Sequence, residues 1–256
     1  MKKVVSFGGG VNGVAMLIAM VKAQDKPDAI LFADTGGEVQ ETYDYIEYFS
    51  HWLESVGFPQ ITTVTYKTKK GLRVSLLDEI IKAKTLPSIA FGFKTCSQKH
   101  KIFPQQKWVK YHYGKESITW YVGFDAAESR RMKPNPTEGH QNKYLLIELG
   151  WDRARCIEEI LKASMEVPCK SSCFFCPNRK KPEILLLPPH LKKMVMHIEA
   201  NAMPNMIKVK GLGRRFSWTD LIEGRTKEAD KETEMQTAFK NKTGEDLEPI
   251  VCECID

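Results

Sequence analysis

The chain has 256 residues, enough for one large α/β domain or one domain with a small appendage. Its 42% hydrophobic and 27% charged residues are those of a globular protein, and no apolar run approaches the roughly 20 residues that span a bilayer. A net charge of +6 permits a polyanionic partner. Seven cysteines behind a Met-Lys-Lys start with no secretory segment lead us to expect metal or redox chemistry in the cytoplasm, not a disulfide framework.

In chain order, Val4-Val5 reads as a buried strand, Ser6-Phe7-Gly8-Gly9-Gly10-Val11-Asn12-Gly13 as a glycine-rich turn, and Val14 to Val21 as a buried helix. Strand, glycine turn and helix in that order hold phosphates. Glycine lets backbone N–H groups close on an anion, and the helix N-terminus adds its positive dipole end. A second strand, Ala29 to Ala33, runs into Asp34-Thr35-Gly36-Gly37-Glu38. Polar clusters at the carboxyl ends of two strands mark a nucleotide site. No Gly-Lys-Ser/Thr follows the glycines, so the turn is not a Walker A loop, and no lone ribose acid makes it a dinucleotide fingerprint.

These two segments together resemble the PP-loop adenine-nucleotide α-hydrolase superfamily. Within it they are similar to the phosphoadenosine-phosphosulfate (PAPS) reductase-like branch, with its phage-encoded and DNA-phosphorothioation sulfur-transfer members. The superfamily loop Ser-Gly-Gly-x-Asp-Ser falls on Gly8 to Gly13, with Gly8 for the first Ser, Asn12 for the Asp and Gly13 for the last Ser. Gly13 thereby lacks a hydroxyl that would contact pyrophosphate, a change that touches catalysis more than binding. The resemblance implies nucleotide contacts from Ser6, Phe7, Gly8, Gly9, Gly10, Asn12, Gly13, Asp34, Thr35 and Gly36, with Asp34 orienting the ribose or a Mg²⁺ ion.

Residues 39–56 read as an amphipathic helix with Tyr45, Phe49, Trp52 and Leu53 on one face, and Ile61 to Tyr66 as a third strand. Leu72 to Lys84 reads as helical. The cation-rich segment around Cys96 leads into a helix carrying Trp108, Tyr111 and Tyr113. Ser117 to Phe124 is a fourth strand, opening onto Asp125-Ala126-Ala127-Glu128-Ser129-Arg130-Arg131. Glu128, Ser129 and Arg131 match a segment of the resembling family. That match adds Gly123, Glu128 and Ser129 to the nucleotide contacts, and Arg130 or Arg131 as the cation for an outer anion. Residues 133–143 read as a polar flap, and Tyr144 to Glu148 as a short apolar run. A helix then begins near Asp152, a suitable N-terminal acid. The expected architecture is α/β: a doubly wound, mostly parallel sheet of about five strands over residues 1–150, then a helical, cysteine-bearing region over 151–256.

Cys169-Lys170-Ser171-Ser172-Cys173-Phe174-Phe175-Cys176-Pro177 contains a metal-binding or redox Cys-x-x-Cys spacing. Two thiolates do not complete a site, so distant ligands must join, and a metal-free dithiol is the alternative. By resemblance, Cys96, Cys156, Cys173 and Cys176 hold a [4Fe-4S] cluster, or Zn²⁺ as second choice, with Cys169 a spare. Three readings follow for function. The first is cleavage of ATP between the α- and β-phosphates, adenylylating an acceptor in sulfur transfer or nucleic-acid modification. The second is reduction of PAPS through a C-terminal thiol at Cys254. The third is a nucleotide-binding module with weakened catalysis. Basic segments over residues 94–115 and 179–193 leave tRNA or DNA open as partners. A thioredoxin-like reductant or a cysteine-desulfurase-like donor would serve the sulfur chemistry. No membrane partner is expected.

Overall fold

In the computed structural model, which describes residues 1–225, five strands form one all-parallel sheet in the order β3-β2-β1-β4-β5. They are β1 (Lys2–Phe7), β2 (Ala29–Asp34), β3 (Ile61–Thr65), β4 (Ile118–Val122) and β5 (His140–Lys143). Every residue of β2 is buried, as a parallel strand covered on both faces must be. The chain steps outward from β1 to β2 and β3, then returns to place β4 on the other side of β1. The switch point therefore lies between β1 and β4, where open α/β sheets bind ligands beyond the strand ends.

Helix α1 (Val11–Lys22) is apolar on nearly all sides because α2 (Gln40–Ser55), the sheet and a later helix, Arg153–Lys162, surround it. Phe7 stacks on Phe49, which stacks on Trp52, with ring centroids 5.8 and 5.4 Å apart. Cys156, Ile160 and Met165 belong to this same core, so it reaches past residue 150. The opposite sheet face packs Val4, Leu31 and Trp120 against Val109 of the helix Phe103–Tyr113. A second core joins the helix Leu76–Lys82, residues 173–175 and the helix Pro189–Ala202, with Trp218 fully buried. Glu199 is buried there yet satisfied: it accepts from Leu212 N at 2.7 Å, Trp218 N at 2.9 Å and the Ser217 hydroxyl.

Two elements differ from the sequence reading. The fifth strand is His140–Lys143, inside the segment read as a flap, whereas the apolar Leu145–Glu148 is a short helix. An edge strand pairs on one side only, so polar side chains do not disqualify it. Leu146 is apolar because it is buried under α1, not because it belongs to the sheet. The helix expected from Leu72 starts at Leu76, where Ser75 and Asp78 form a capping box. Arg73 instead pairs in an antiparallel bridge with Lys67. Among the described residues no helix is long and apolar enough to cross a membrane. Cys252, Cys254 and most of the charged C-terminal segment lie outside the described residues.

Candidate functional site at the carboxyl ends of β1, β2 and β4

Gly8 to Gly13 leave the end of β1 and enter α1. Gly9 adopts a left-handed φ of +78°, which glycine tolerates without strain. The N-cap is Gly10, extended and without a side-chain cap, and no acid occupies the first turn. The first N–H groups of α1 therefore have no side-chain acceptor, and an anion can take that place.

Two neighbouring strands complete the mouth. From β4, Gly123 comes so close to the loop that a Cβ there would lie 3.1 Å from Gly13 N. Asn12 Nδ2 donates to Asp125 Oδ2 at 3.1 Å and to Glu128 Oε2 at 3.0 Å, and Arg153 Nη1 donates to Asn12 Oδ1 at 3.4 Å. An amide can donate to two carboxylates where an aspartate cannot, which accounts for Asn at this place in the loop. Gly13 has an equally local cause: a Cβ on it would meet the Phe7 ring at 3.0 Å. Phe7 itself is buried against Phe49, so its ring belongs to the core while one edge borders Gly13 of the loop.

From β2, Asp34 is 7% exposed and engaged on both oxygens. Gly36 N and the Tyr43 hydroxyl donate to Oδ1 at 2.7 and 2.8 Å, and Arg73 Nη2 donates to Oδ2 at 2.7 Å. Asp34 thus shapes the Thr35–Gly37 turn. Burial, reinforced by the Asp34 carboxylate, pushes the Tyr43 phenol up. Ser129 and Arg130 are exposed on the short 3₁₀ turn Ala126–Arg131, while Arg131 pairs with Glu128 and lies 4.2 Å over the Phe124 ring.

The cysteine segment closes over these loops. Ser171 donates to the Gly8 carbonyl, and Phe174 N donates to the Gly37 carbonyl at 2.7 Å. A Cβ on Gly37 would stand 2.7 Å from the Phe175 ring, so only glycine fits beneath this cover. Cys173 Sγ lies 3.0 Å from the Thr35 hydroxyl, and Cys169 Sγ lies 3.5 Å from the Thr42 hydroxyl. Cys96, Cys173 and Cys176 line one cavity of about 60 Å³ together with Thr35 and Lys101.

Cys156 is separate from them. It is fully buried in the first core, beneath Asp125 and Arg153, and desolvation pushes its thiol up to about 12. Burial likewise pushes Cys173 up to about 12. The structure brings three of the four expected ligands to one place and keeps the fourth elsewhere. Among the described residues no group of three or more His, Cys, Asp or Glu side chains is arranged to hold a metal ion. The donor set therefore does not fit a four-cysteine cluster. The carboxylates near the loop do not fit Mg²⁺ better, since Asp34, Asp125 and Glu128 are already engaged by protein donors.

Sequence reading gave no loop-holding role to Tyr43, Arg73, Arg153 or Ser171; Tyr43 and Arg73 stand outside the motifs, whereas Arg153 lies next to Asp152 and Ser171 within the cysteine segment. It also missed Glu38, whose two oxygens are buried without a hydrogen-bond partner among the described residues. Burial raises the Glu38 carboxyl, opposed by Lys101 and Arg179. Only the repeated Gly-Gly before Glu38 hinted at such close packing.

Residues 2–142 match the family model described as the phosphoadenosine phosphosulfate reductase domain. Over 153 residues the chain is 28% identical to the nin region protein ORF290 of Escherichia phage lambda, an alignment covering 53% of this chain and 52% of that protein. The chain thus spans about half the length of this curated relative. With the all-parallel sheet and the phosphate-type loop at its switch point, the match over residues 2–142 identifies the chain as a member of the phosphoadenosine phosphosulfate reductase domain family, within the PP-loop superfamily.

Proposed function

We propose that this chain binds ATP at the β1, β2 and β4 ends and cleaves it between the α- and β-phosphates, adenylylating an acceptor in sulfur transfer or nucleic-acid modification. The observation that carries this reading is the start of α1: a glycine loop and uncapped N–H groups, placed at the switch point and flanked by the Asp34 turn. The loop amides would hold the phosphates by charge-assisted hydrogen bonds in a preorganised cradle. Arg130, exposed at the rim, is the cation for the departing pyrophosphate, because Arg131 already serves Glu128 and Phe124. Asp34 keeps the turn of Thr35 and Gly36 in place. A cysteine-desulfurase-like or thioredoxin-like protein would supply the sulfur or the electrons.

The test is product identity. With ATP and either total tRNA or sheared DNA as acceptor, the reading requires AMP-containing product and pyrophosphate. ADP and phosphate would refute it, as would failure to bind α,β-methylene-ATP. A second reading, binding without turnover, is favoured by one feature: the Phe7 ring borders the space a side chain at position 13 would fill. Analogue binding with no pyrophosphate from any acceptor would decide for it. PAPS reduction through Cys254 would be shown by sulfite release that Cys254→Ser abolishes.

A further inference from the structure

A cavity of about 730 Å³ lies outside the nucleotide mouth, yet Leu76 and Cys96 line both it and the small cavity that contains Thr35, Cys173 and Cys176. Two phenylalanines line it while staying open to water: Phe91 is 36% exposed and Phe93 is 66% exposed. They flank Gly92, whose left-handed φ of +89° reverses the chain so that both rings border the same space. Lys208 and Arg214 line the cavity too, and neither pairs with a carboxylate among the described residues. Arg214 Nη2 donates to Asn178 Oδ1 at 3.3 Å, linking this wall to the smaller cavity, which Asn178 also lines.

His100 closes the arrangement. It is 1% exposed, lines the cavity, and its Nε2 lies 2.9 Å from Glu79 Oε2. Glu79 also accepts from Lys99 at 2.7 Å, so the carboxylate is charged and His Nε2–H is the donor. That leaves Nδ1 as an acceptor, buried without a partner among the described residues. The cavity offers exposed aromatic faces, and cations with no carboxylate partner among the described residues. A planar base stacks on the first and its phosphates meet the second.

We propose that this cavity binds single-stranded nucleic acid, with one base stacked on Phe91 and Phe93 and its flanking phosphates on Lys208 and Arg214. That the bound strand is also the acceptor of the adenylyl or sulfur chemistry rests on the function proposed above; the binding itself does not. Cys96 lines both cavities, so the strand would lie beside the thiol that also borders the Thr35 turn.

The test is fluorescence anisotropy of the full chain with fluorescein-labelled DNA and RNA strands of about 12 nucleotides, a length within the site sizes of single-strand binders. Phe93→Ala should weaken binding at least about fivefold, the lower end of what one stacking ring contributes. Lys208→Glu should weaken it and lower the slope of log affinity against log salt by about one. Lys110→Glu, in the basic helix away from the cavity, should bind as wild type does. No binding of either strand at low salt would overturn the proposal, and so would loss in Lys110→Glu with Phe93→Ala and Lys208→Glu unaffected. Phe93 is exposed enough that its truncation leaves folding intact, checked by an unchanged melting temperature. α,β-Methylene-ATP is titrated in parallel. A wild-type chain that binds the strand but not the analogue refutes the ATP reading and leaves this one standing.

Discussion

Asn12→Asp restores the acid that the superfamily loop carries, and the structure predicts that it damages this chain. Asn12 Nδ2 now donates at 3.1 and 3.0 Å to Asp125 and Glu128, both of which are buried. Losing two hydrogen bonds to charged acceptors costs about 1.5–3 kcal/mol each. Like charges about 4 Å apart add roughly 4 kcal/mol at an effective dielectric of about 20. Arg153, 3.4 Å from Asn12 Oδ1, offsets part of this. A net loss on the order of 3–5 kcal/mol remains, which at about 2–4 °C per kcal/mol for a chain of this size lowers Tm by at least about 6 °C.

The sign with pH follows from linkage. The neighbouring carboxylates raise the folded-state pKa of the new carboxyl above its unfolded value of about 3.9. The charge part of the penalty is therefore complete above the folded pKa and vanishes below about pH 4, where the group is protonated in both states, while the loss of the second donated hydrogen bond remains. Thermal unfolding of both proteins at pH 5 and pH 8, with EDTA to remove bridging cations, reads this directly. A Tm gap below about 1 °C at pH 8, or one that does not narrow toward pH 5, refutes the assignment of Asn12 as donor to both acids.

Three further outcomes are expected. Gly37→Ala drives a methyl into the Phe175 ring, 2.7 Å away, and should cost about 1–3 kcal/mol in denaturant unfolding with loss of nucleotide binding; unchanged stability would show that the cysteine segment does not sit tightly on the loop. Lys170→Met strands Glu183, 3% exposed, and should cost about 3–5 kcal/mol, while Lys170→Met with Glu183→Met recovers most of it; a double variant no better than the single one would refute the buried pair. Iodoacetamide at pH 8 should label Cys96 and Cys176 well before Cys156 and Cys173. With a thiol near 12 the thiolate is roughly one part in ten thousand, and peptide mass spectrometry showing early Cys156 labelling would overturn its placement.

The parts of this fold that sequence reveals are those where chemistry and period coincide. The turn into α1 shows itself because three glycines interrupt an apolar strand and an apolar helix; Gly9 takes a left-handed φ and Gly10 is the helix start without a side-chain cap. β5 is invisible because His140 to Lys143 carry no alternation; the strand exists through backbone pairing with β4, joined by polar side-chain bonds from Trp120 to His140 and from Gln141 to Thr119. Leu145 to Glu148, legible only as a short apolar run, is the converse case, since burial of Leu146 against α1 looks the same in sequence as burial in a sheet. The site divides likewise. Gly8 to Gly13 and Asp34 were legible as a motif, but Tyr43, Arg73 and Ser171 act from elsewhere in the chain, and no local pattern marks a residue whose task is to hold another. Cys156 has a cysteine's identity but a core residue's position.

The clasp between Ser171 and Gly8 joins residues 163 positions apart. A ribosome adding about 5–20 residues per second makes the glycine loop roughly 8 to 30 s before it makes the serine that covers it. In that interval β1, β2 and α1 can pair, yet the mouth they form has no roof, and Gly37 faces water where Phe175 will later press. The proposed nucleotide capture would therefore need residue 171 and beyond: a nascent or truncated product ending before it would carry the glycine loop and lack the segment that shuts it.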